Sequence, residues 1–239
     1  MNNIWNPKHY SKNAPVQQEL AFEILSNINL NNCNILDIGC GDGSITDSMR
    51  KKNNHVTGVD SNKEMITFAR ENYPKCSFIM KDITSFSSGS PVGLITSFNC
   101  LHWVKNIHSA LNNIFHSLSS SGRFLGIIYP RCDHLWLASE NLIEHEKYSK
   151  YFTEFENPYQ FHTKQSFTGL LKRSGFKKIK VVQKDHIKFF DSDKIFTDYI
   201  SGWMPHVKIS PPQFLKDWLI EYKKISSQEN SCTTYMKYT

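Results

Sequence analysis

The stretch NILDIGCGDGSITDSM, residues 34–49, limits what this chain can fold into more than any other part of it. A short apolar run breaks at Asp37, and three glycines follow on alternate positions, Gly39, Gly41 and Gly43. A helix-compatible run then starts at Ser44. Strand, tight turn and helix in that order open a βα unit, and the glycines let bare backbone approach a ligand. The spacing is G-x-G-x-G, whereas a dinucleotide fold places its third glycine one residue later. Asp37 beside such a ligand would repel a pyrophosphate. An acid-flanked glycine turn suits a cationic ligand without phosphates.

The same rhythm continues along the chain. Leu20, Ala21, Ile24, Leu25 and Ile28 recur at helical spacing ahead of the first strand. HVTGVD reads as a second strand ending on Asp60, NKEMITFAREN as a helix, SFIMKD as a third strand ending on Asp82, and GLITSFN as a fourth ending near Asn99. An amphipathic helix follows from Ile107 to Leu118, with Gly122 as its stop signal, and RFLGIIY is a fifth strand. This alternation predicts an α/β fold with a doubly wound, Rossmann-like, mainly parallel sheet. From 130 to 164 the rhythm breaks into an aromatic-rich stretch. It returns at KQSFTGLLKRSGFKKIKVVQKD, read as a helix ending at Gly175 and then a strand, and departs again over 191–226. The expectation is a single domain, 1–239. Residues 1–30 would form an N-terminal helical cap, and 130–164 and 191–226 helical cap insertions over the ligand side.

Open parallel sheets bind ligands beyond the carboxyl ends of their strands, and the informative residues sit at those ends. Asp60, 21 residues after Gly39, offers two carboxylate oxygens to a vicinal diol such as a ribose. Asp82 is placed for an adenine amino group, with Ile83 packing on the ring. A nucleoside with a positive centre and no phosphate fits these features, and S-adenosylmethionine is such a molecule.

LDIGCGDG, VTGVDSNKEM, KDI and SFNCLHWV together resemble a class I S-adenosylmethionine-dependent methyltransferase. ITSFNCLHWVKNIHSALNNIF, NPYQFHTKQSFTGLLKRSGF and WMPHVKISPPQFLKDWL are similar to the juvenile hormone acid methyltransferases. Tyr10-x3-Ala14-x2-Gln17 is similar to malonyl-carrier-protein methyltransferases, and WNP with a following Tyr to trans-aconitate methyltransferases. The resemblance implies that Asp37, Gly39, Cys40 and Gly41 bind the methionine part of the cofactor. Asp60 and Ser61 would hold the ribose, Asp82 and Ile83 the adenine, and Asn99 would lie near the sulfonium. Gln17 and Trp103 match the substrate-site Gln and Trp of the hormone-methylating family, and His102 adjoins Trp103.

Those relatives methylate carboxylates, which are ionised at neutral pH and need no general base. Such an enzyme needs hydrogen-bond donors and a dry pocket. Gln17, Trp103 and His102, with Tyr10 as a further donor, can supply the first. The expected acceptor is a small, partly apolar acid, free or carrier-bound. The alternatives are a malonyl-carrier-protein methyltransferase and a methyltransferase-like binding protein without turnover. No clear arginine in 191–226 is placed to grip a malonyl carboxylate, which weakens the first alternative. The relatives end on a strongly apolar seventh strand, whereas this chain ends NSCTTYMKYT.

Composition narrows the partners. The 239 residues carry a net charge of +6, but the cations are dispersed in short runs such as Lys51–Lys52 and Lys177–Lys178. A nucleic-acid partner is therefore not expected. The six cysteines contain no C-x-x-C pair, so neither zinc nor a disulfide framework is expected. No leader pattern and no long apolar run point to secretion or a membrane, so a cytoplasmic monomer or weak homodimer is expected.

Overall fold

In the computed structural model of the chain, the described residues are 5–13, 15–30, 34–50, 55–231 and 233–238. Ala14, Cys33, Lys51, Lys52 and Cys232 lie outside them. Two compact units emerge. A sheet unit comprises Trp5–Ile128 and Tyr159–Val182, and an aromatic unit comprises Tyr129–Pro158 together with the chain from Gln183. The expected N-terminal cap thus belongs, in its described part, to the sheet unit. Of the expected 130–164 insertion, residues 159–164 belong there too, while 130–158 and 191–226 share the aromatic unit.

In the sheet unit, α1 (Pro7–Lys12) and α2 (Pro15–Ser26) precede β1 (Asn34–Ile38), α3 (Ser44–Arg50), β2 (His55–Asp60), α4 (Lys63–Asn72) and β3 (Ser77–Met80). A short 3-10 turn, Ile83–Ser85, leads to β4 (Val92–Phe98). A second, Leu101–Trp103, leads to α5 (Ile107–Ser117) and β5 (Leu118–Ile127). The strands pair in parallel in the order β3-β2-β1-β4-β5. The order reverses between β1 and β4, and at such a switch a crevice opens beyond the strand ends. Buried side chains fill both faces of the sheet. Ile38, Ile95, Leu111 and Ile114 lie in one cluster, and Ile35, Val56 and Leu94 in another with Ala21 and Leu25 of α2. A parallel sheet covered on both faces has strands buried along most of their length, and β1 and β4 are, with Asp37, Thr96 and Ser97 as buried polar exceptions. Asn62 and Asn106 cap α4 and α5 through their side-chain oxygens.

Gly122 does not stop the helix. That helix ends at Ser117, and Gly122 lies inside β5, where the register against β4 shifts between Val92 and Leu94. A Cβ there would come within 2.9 Å of the Val92 carbonyl, so the residue serves the bulge. After α8 (Lys164–Arg173) the expected strand over the KKIKVVQKD segment is absent; residues 176–185 run without regular structure. The nearest strand is β6 (His186–Phe190), in the other unit. Phe176, Ile179 and Val181 pack on the sheet-unit core, so the apolar positions read as a strand from sequence are satisfied by side-chain burial rather than a ladder.

The aromatic unit contains α6 (Asp133–Glu144), α7 (Glu146–Ser149), β6, α9 (Asp193–Trp203), α10 (Pro205–Ile209), α11 (Pro212–Ile225) and β7 (Thr234–Tyr238). The polar C-terminal segment does form a strand, but it pairs antiparallel with β6 in a two-stranded sheet. Trp136, Tyr148, Phe196, Phe214, Trp218 and Tyr222 are fully buried and form the core. Trp218 stacks on Tyr222 at 5.2 Å, and its indole N–H donates to Ser139 Oγ at 3.0 Å. Gln228 holds β7 by accepting from the Tyr235 amide and donating to its carbonyl.

Candidate functional site

Gly39, Gly41 and Gly43 all have positive φ, at 69°, 53° and 85°. A Cβ on Gly39 would overlap Cys100, 2.2 Å from its Cβ, whereas one on Gly41 would meet nothing within 4 Å. The first glycine is required by the close approach of the β4 end. The second faces open space, the condition for a ligand to lie on bare backbone.

Asp60 ties the turn to the end of β2. Its Oδ2 accepts from the Gly41 amide at 3.0 Å and its Oδ1 from the Asn62 amide at 2.8 Å. Burial raises its pKa, and the amides of Asn62, Gly41 and Ser61 oppose that rise by stabilising the charge. Each oxygen keeps a lone pair, so a diol can still bind. Ser61 is exposed and contributes through its backbone.

Asp37 is placed differently from the sequence expectation of a carboxylate facing the ligand. It is 2% exposed, and Thr46 and Thr96 donate to its two oxygens at 2.6 and 2.8 Å. Burial pushes its pKa up to about 6 despite those hydroxyls. It braces the turn from below. Asp42, inside the turn, accepts from the Ser44 amide and hydroxyl with Oδ1, while its Oδ2 is buried without a partner.

The strand ends converge on Cys100. Burial and the neighbouring carboxylates Asp60, Asp37 and Asp82 push its thiol up to about 12. Asp82 caps the first 3-10 turn, its Oδ1 accepting from the Thr84 amide and hydroxyl, both at 2.7 Å. Ile83 lies in the main core cluster, its carbonyl accepting from Asn113. Cys40 is buried against Gly58 and Phe78. Asn99 has φ +60° and a buried Oδ1 without a partner. Tyr10 of α1 comes to the same place, because burial and then Asp42, Asp60 and Cys100 hold its phenol neutral, well above its ordinary range.

An aromatic group adjoins these acids. Trp5 meets Tyr10 and Trp103 edge-on, at 5.7 and 5.2 Å. Trp103 meets Tyr159 at 4.8 Å, and Tyr159 stacks on His102 at 4.6 Å. His102 is 2% exposed, and burial together with nearby His162 lowers its pKa to about 3. Gln17 is buried on α2, not solvated as its helical position suggests, and its Oε1 has no partner. The next residue, Gln18, joins α2 to the turn by donating to Ser44 Oγ at 3.1 Å.

The structure therefore unites Asp60, Asp82, Asn99, Cys100, the glycine turn, His102 and Trp103 at one edge of the sheet. Asp37, Cys40 and Ile83 support that edge from the core. Asp42 and Tyr159 complete the site without having been singled out in the sequence. Asp42 had a signal, as the acid inside the glycine turn. Tyr159 lies in the NPYQFHTK stretch, but its place beside His102 could not be read there, because 60 residues of chain separate it from Asn99. Among the described residues no cluster of three metal-ligating side chains occurs, and no helix is long and apolar enough to cross a membrane.

Residues 35–122 match the family described as Methyltransferase domain. A putative methyltransferase of Invertebrate iridescent virus 6 is 28% identical over 183 residues, 74% of this chain and 69% of the viral protein. The trans-aconitate 2-methyltransferase of an Escherichia coli O45:K1 strain is 28% identical over 145 residues, 59% of this chain; the aligned part spans only 56% of that enzyme. Among solved structures, the YcgJ protein of Bacillus subtilis superposes with a TM-score of 0.64 at 15% identity, over 92% of this chain and 94% of that one. Magnesium protoporphyrin IX methyltransferase of Synechocystis PCC 6803 superposes at 0.55 and 13% identity, over 72% and 75%. The fold is that of the class I methyltransferases.

Proposed function

We propose that this chain, an S-adenosylmethionine-dependent methyltransferase by its domain and fold, methylates a carboxylate oxygen of a small, partly apolar acid. The donor set fits the cofactor. Asp42 Oδ2 and Asn99 Oδ1 are buried acceptor oxygens without partners, beside a glycine that opens onto empty space. Buried polar atoms left unpaired are costly, and a ligand carrying an ammonium group and a positive sulfur satisfies both. Asp60 would hold the ribose and Asp82 the adenine. When bound, S-adenosylmethionine supplies a methyl group activated by its sulfonium.

One observation carries the choice of acceptor: the imidazole next to Trp103, the group most suited by type to take a proton from an acceptor, is too weak a base to do so near neutral pH. His102 is held neutral with a pKa of about 3, which makes it a very weak base. Tyr10 is held as the phenol, both Asp37 oxygens accept from buried threonines, and Asp60 is committed to the ribose in this reading. An acceptor must then arrive already ionised, as a carboxylate does. The chain's own part is to orient and to exclude water. Trp103 and Tyr10 offer an N–H and an O–H to the acceptor, and the rings of Trp5, Trp103 and Tyr159 keep the edge dry. The name of the trans-aconitate relative, which designates a carboxylate, supports the same class.

The test is methyl transfer from labelled donor to a panel of free carboxylic acids, amines, phenols and malonyl carrier protein. A methyl ester of a free acid is expected, with a rate flat between pH 7 and 9. An amine or phenol product, or a rate climbing tenfold per pH unit, would overturn the reading. Product on carrier protein alone would make the acceptor carrier-bound, and cofactor binding with no product anywhere would leave a binding protein.

A further inference from the structure

The segment Tyr159–Thr163 carries a polar group that the site described so far does not use. It is fastened to the second 3-10 turn in two ways. The Gln160 amide donates to the His102 carbonyl at 2.7 Å, and the Tyr159 ring stacks on the His102 imidazole with only 25° between the planes. At its far end Thr163 caps α8, accepting from the Ser166 amide at 3.1 Å. His162 is thus held between the turn that bears Trp103 and the first turns of α8, with the Phe167 ring 6.0 Å from its own. It lies close enough to His102 to oppose that residue's protonation.

The imidazole of His162 is half-buried, yet its Nε2 is shielded from solvent and has no hydrogen-bond partner. Leaving such an atom unpaired costs about 1–3 kcal/mol. Its ring neighbour Phe167 offers it no polar partner, and Tyr159 and His102 stack on each other. A neutral imidazole carries one N–H and one lone pair, so Nε2 can donate. Among the atoms left without partners elsewhere in the site, Asp42 Oδ2, Asn99 Oδ1 and Gln17 Oε1 are acceptors. They cannot receive a carboxylate. Two oxygens of a carboxylate need holding if only one is to attack, and an N–H donor close to His102, the residue before Trp103, meets that need.

We propose that His162 is an acceptor-binding residue, its Nε2–H donating to the carboxylate oxygen that does not attack. This rests on the carboxylate reading of the site. The proton stays on the imidazole throughout; His162 orients and takes no part in proton transfer.

The test compares His162→Leu with His162→Gln in an enzyme shown to esterify a given acid. His162→Leu raises KM for the acid about 10–100-fold, the range of one lost hydrogen bond to a charged group. Cofactor Kd by calorimetry stays within twofold. His162→Gln, which keeps a donor but cannot act as a base, recovers most of the loss, and its rate stays flat with pH. A leucine variant with unchanged KM overturns the inference. So does a glutamine variant as impaired as the leucine one, which would mean a base, and so does an equal loss of cofactor affinity, which would mean a structural part. A wild-type protein that esterifies no acid overturns the carboxylate reading itself, and an active wild type with an indifferent His162 overturns this inference alone.

Discussion

The two units use the same kinds of residue for opposite ends. In the sheet unit the polar side chains at the strand ends are partly unsatisfied, with Asp42, Asn99, Gln17 and His162 each burying an atom without a partner. In the aromatic unit the buried polar groups of Trp218, Tyr222, Ser139 and Gln228 bond one another or the backbone. Trp203 Nε1, His206 Nδ1 and Ser210 Oγ stand apart there. The stacked rings of Trp218 and Tyr222 serve stability, whereas the unpaired oxygens of Asp42 and Asn99 lie by a glycine turn whose Gly41 opens onto free space, where a ligand can pair with them.

Truncation in the aromatic core breaks this comparison most directly. Trp218→Ala removes a fully buried ring and a hydrogen bond, and is expected to cost about 3–5 kcal/mol in thermal or denaturant unfolding. Asp60→Ala, by contrast, is expected to leave unfolding little changed while weakening S-adenosylmethionine binding about 100-fold, close to 3 kcal/mol, by calorimetry. Reversed results would mean that the roles of the two regions are exchanged.

Acid separates the units with a smaller effect. His102 and His206 are both buried, with pKa values lowered by burial to about 3 and about 4. A base that is neutral when folded and charged when unfolded contributes stability above pH 6.5 and loses it as pH falls. Asp37 has the opposite sign. Its raised value of about 6 means that folding favours its protonated form, so its contribution grows as pH falls below 6. Between pH 7 and 4.5 each histidine loses about 2–3 kcal/mol, and Asp37 returns about 2 in the sheet unit. Hydrogen exchange should therefore show α11 losing protection before β1. His206→Phe should remove most of that difference, and its persistence in this variant would show that the histidine is not the cause.

The smallest expected effect lies on the surface. Lys147 and Asp217 form a half-exposed ion pair at 2.5 Å, and Lys147→Ala should change stability by less than about 1 kcal/mol. A larger loss would place a further stabilising network in the aromatic unit, at Tyr148 and Gln213, which also donate to Asp217.

The strands from 34 to 98, the glycine turn and Asp60 were all legible in the sequence, and so was the helical character of 191–226. Each is written in a few contiguous residues: an apolar run, glycines where φ must be positive, or apolar positions at helical spacing. Gln17 was legible as a candidate but not as a buried one, because helical position says which face a residue occupies and not what covers it. The strand expected after Gly175 failed for a related reason. Ile179 and Val181 have the alternation of a strand, and packing of both, with Phe176, on the sheet-unit core consumes it.

By itself the sequence determined the parallel sheet, the turn that must lie against a ligand, and the acids at its strand ends. These depend on backbone conformation within one loop. Only the tertiary structure decided that Asp37 is buried between two threonines, that His102 is neutral, and that residues 159–162 return to the edge built by residues 37–103. Those facts depend on burial and on unpaired atoms. Both are made by segments far apart in the chain, and neither is a property of any one of them.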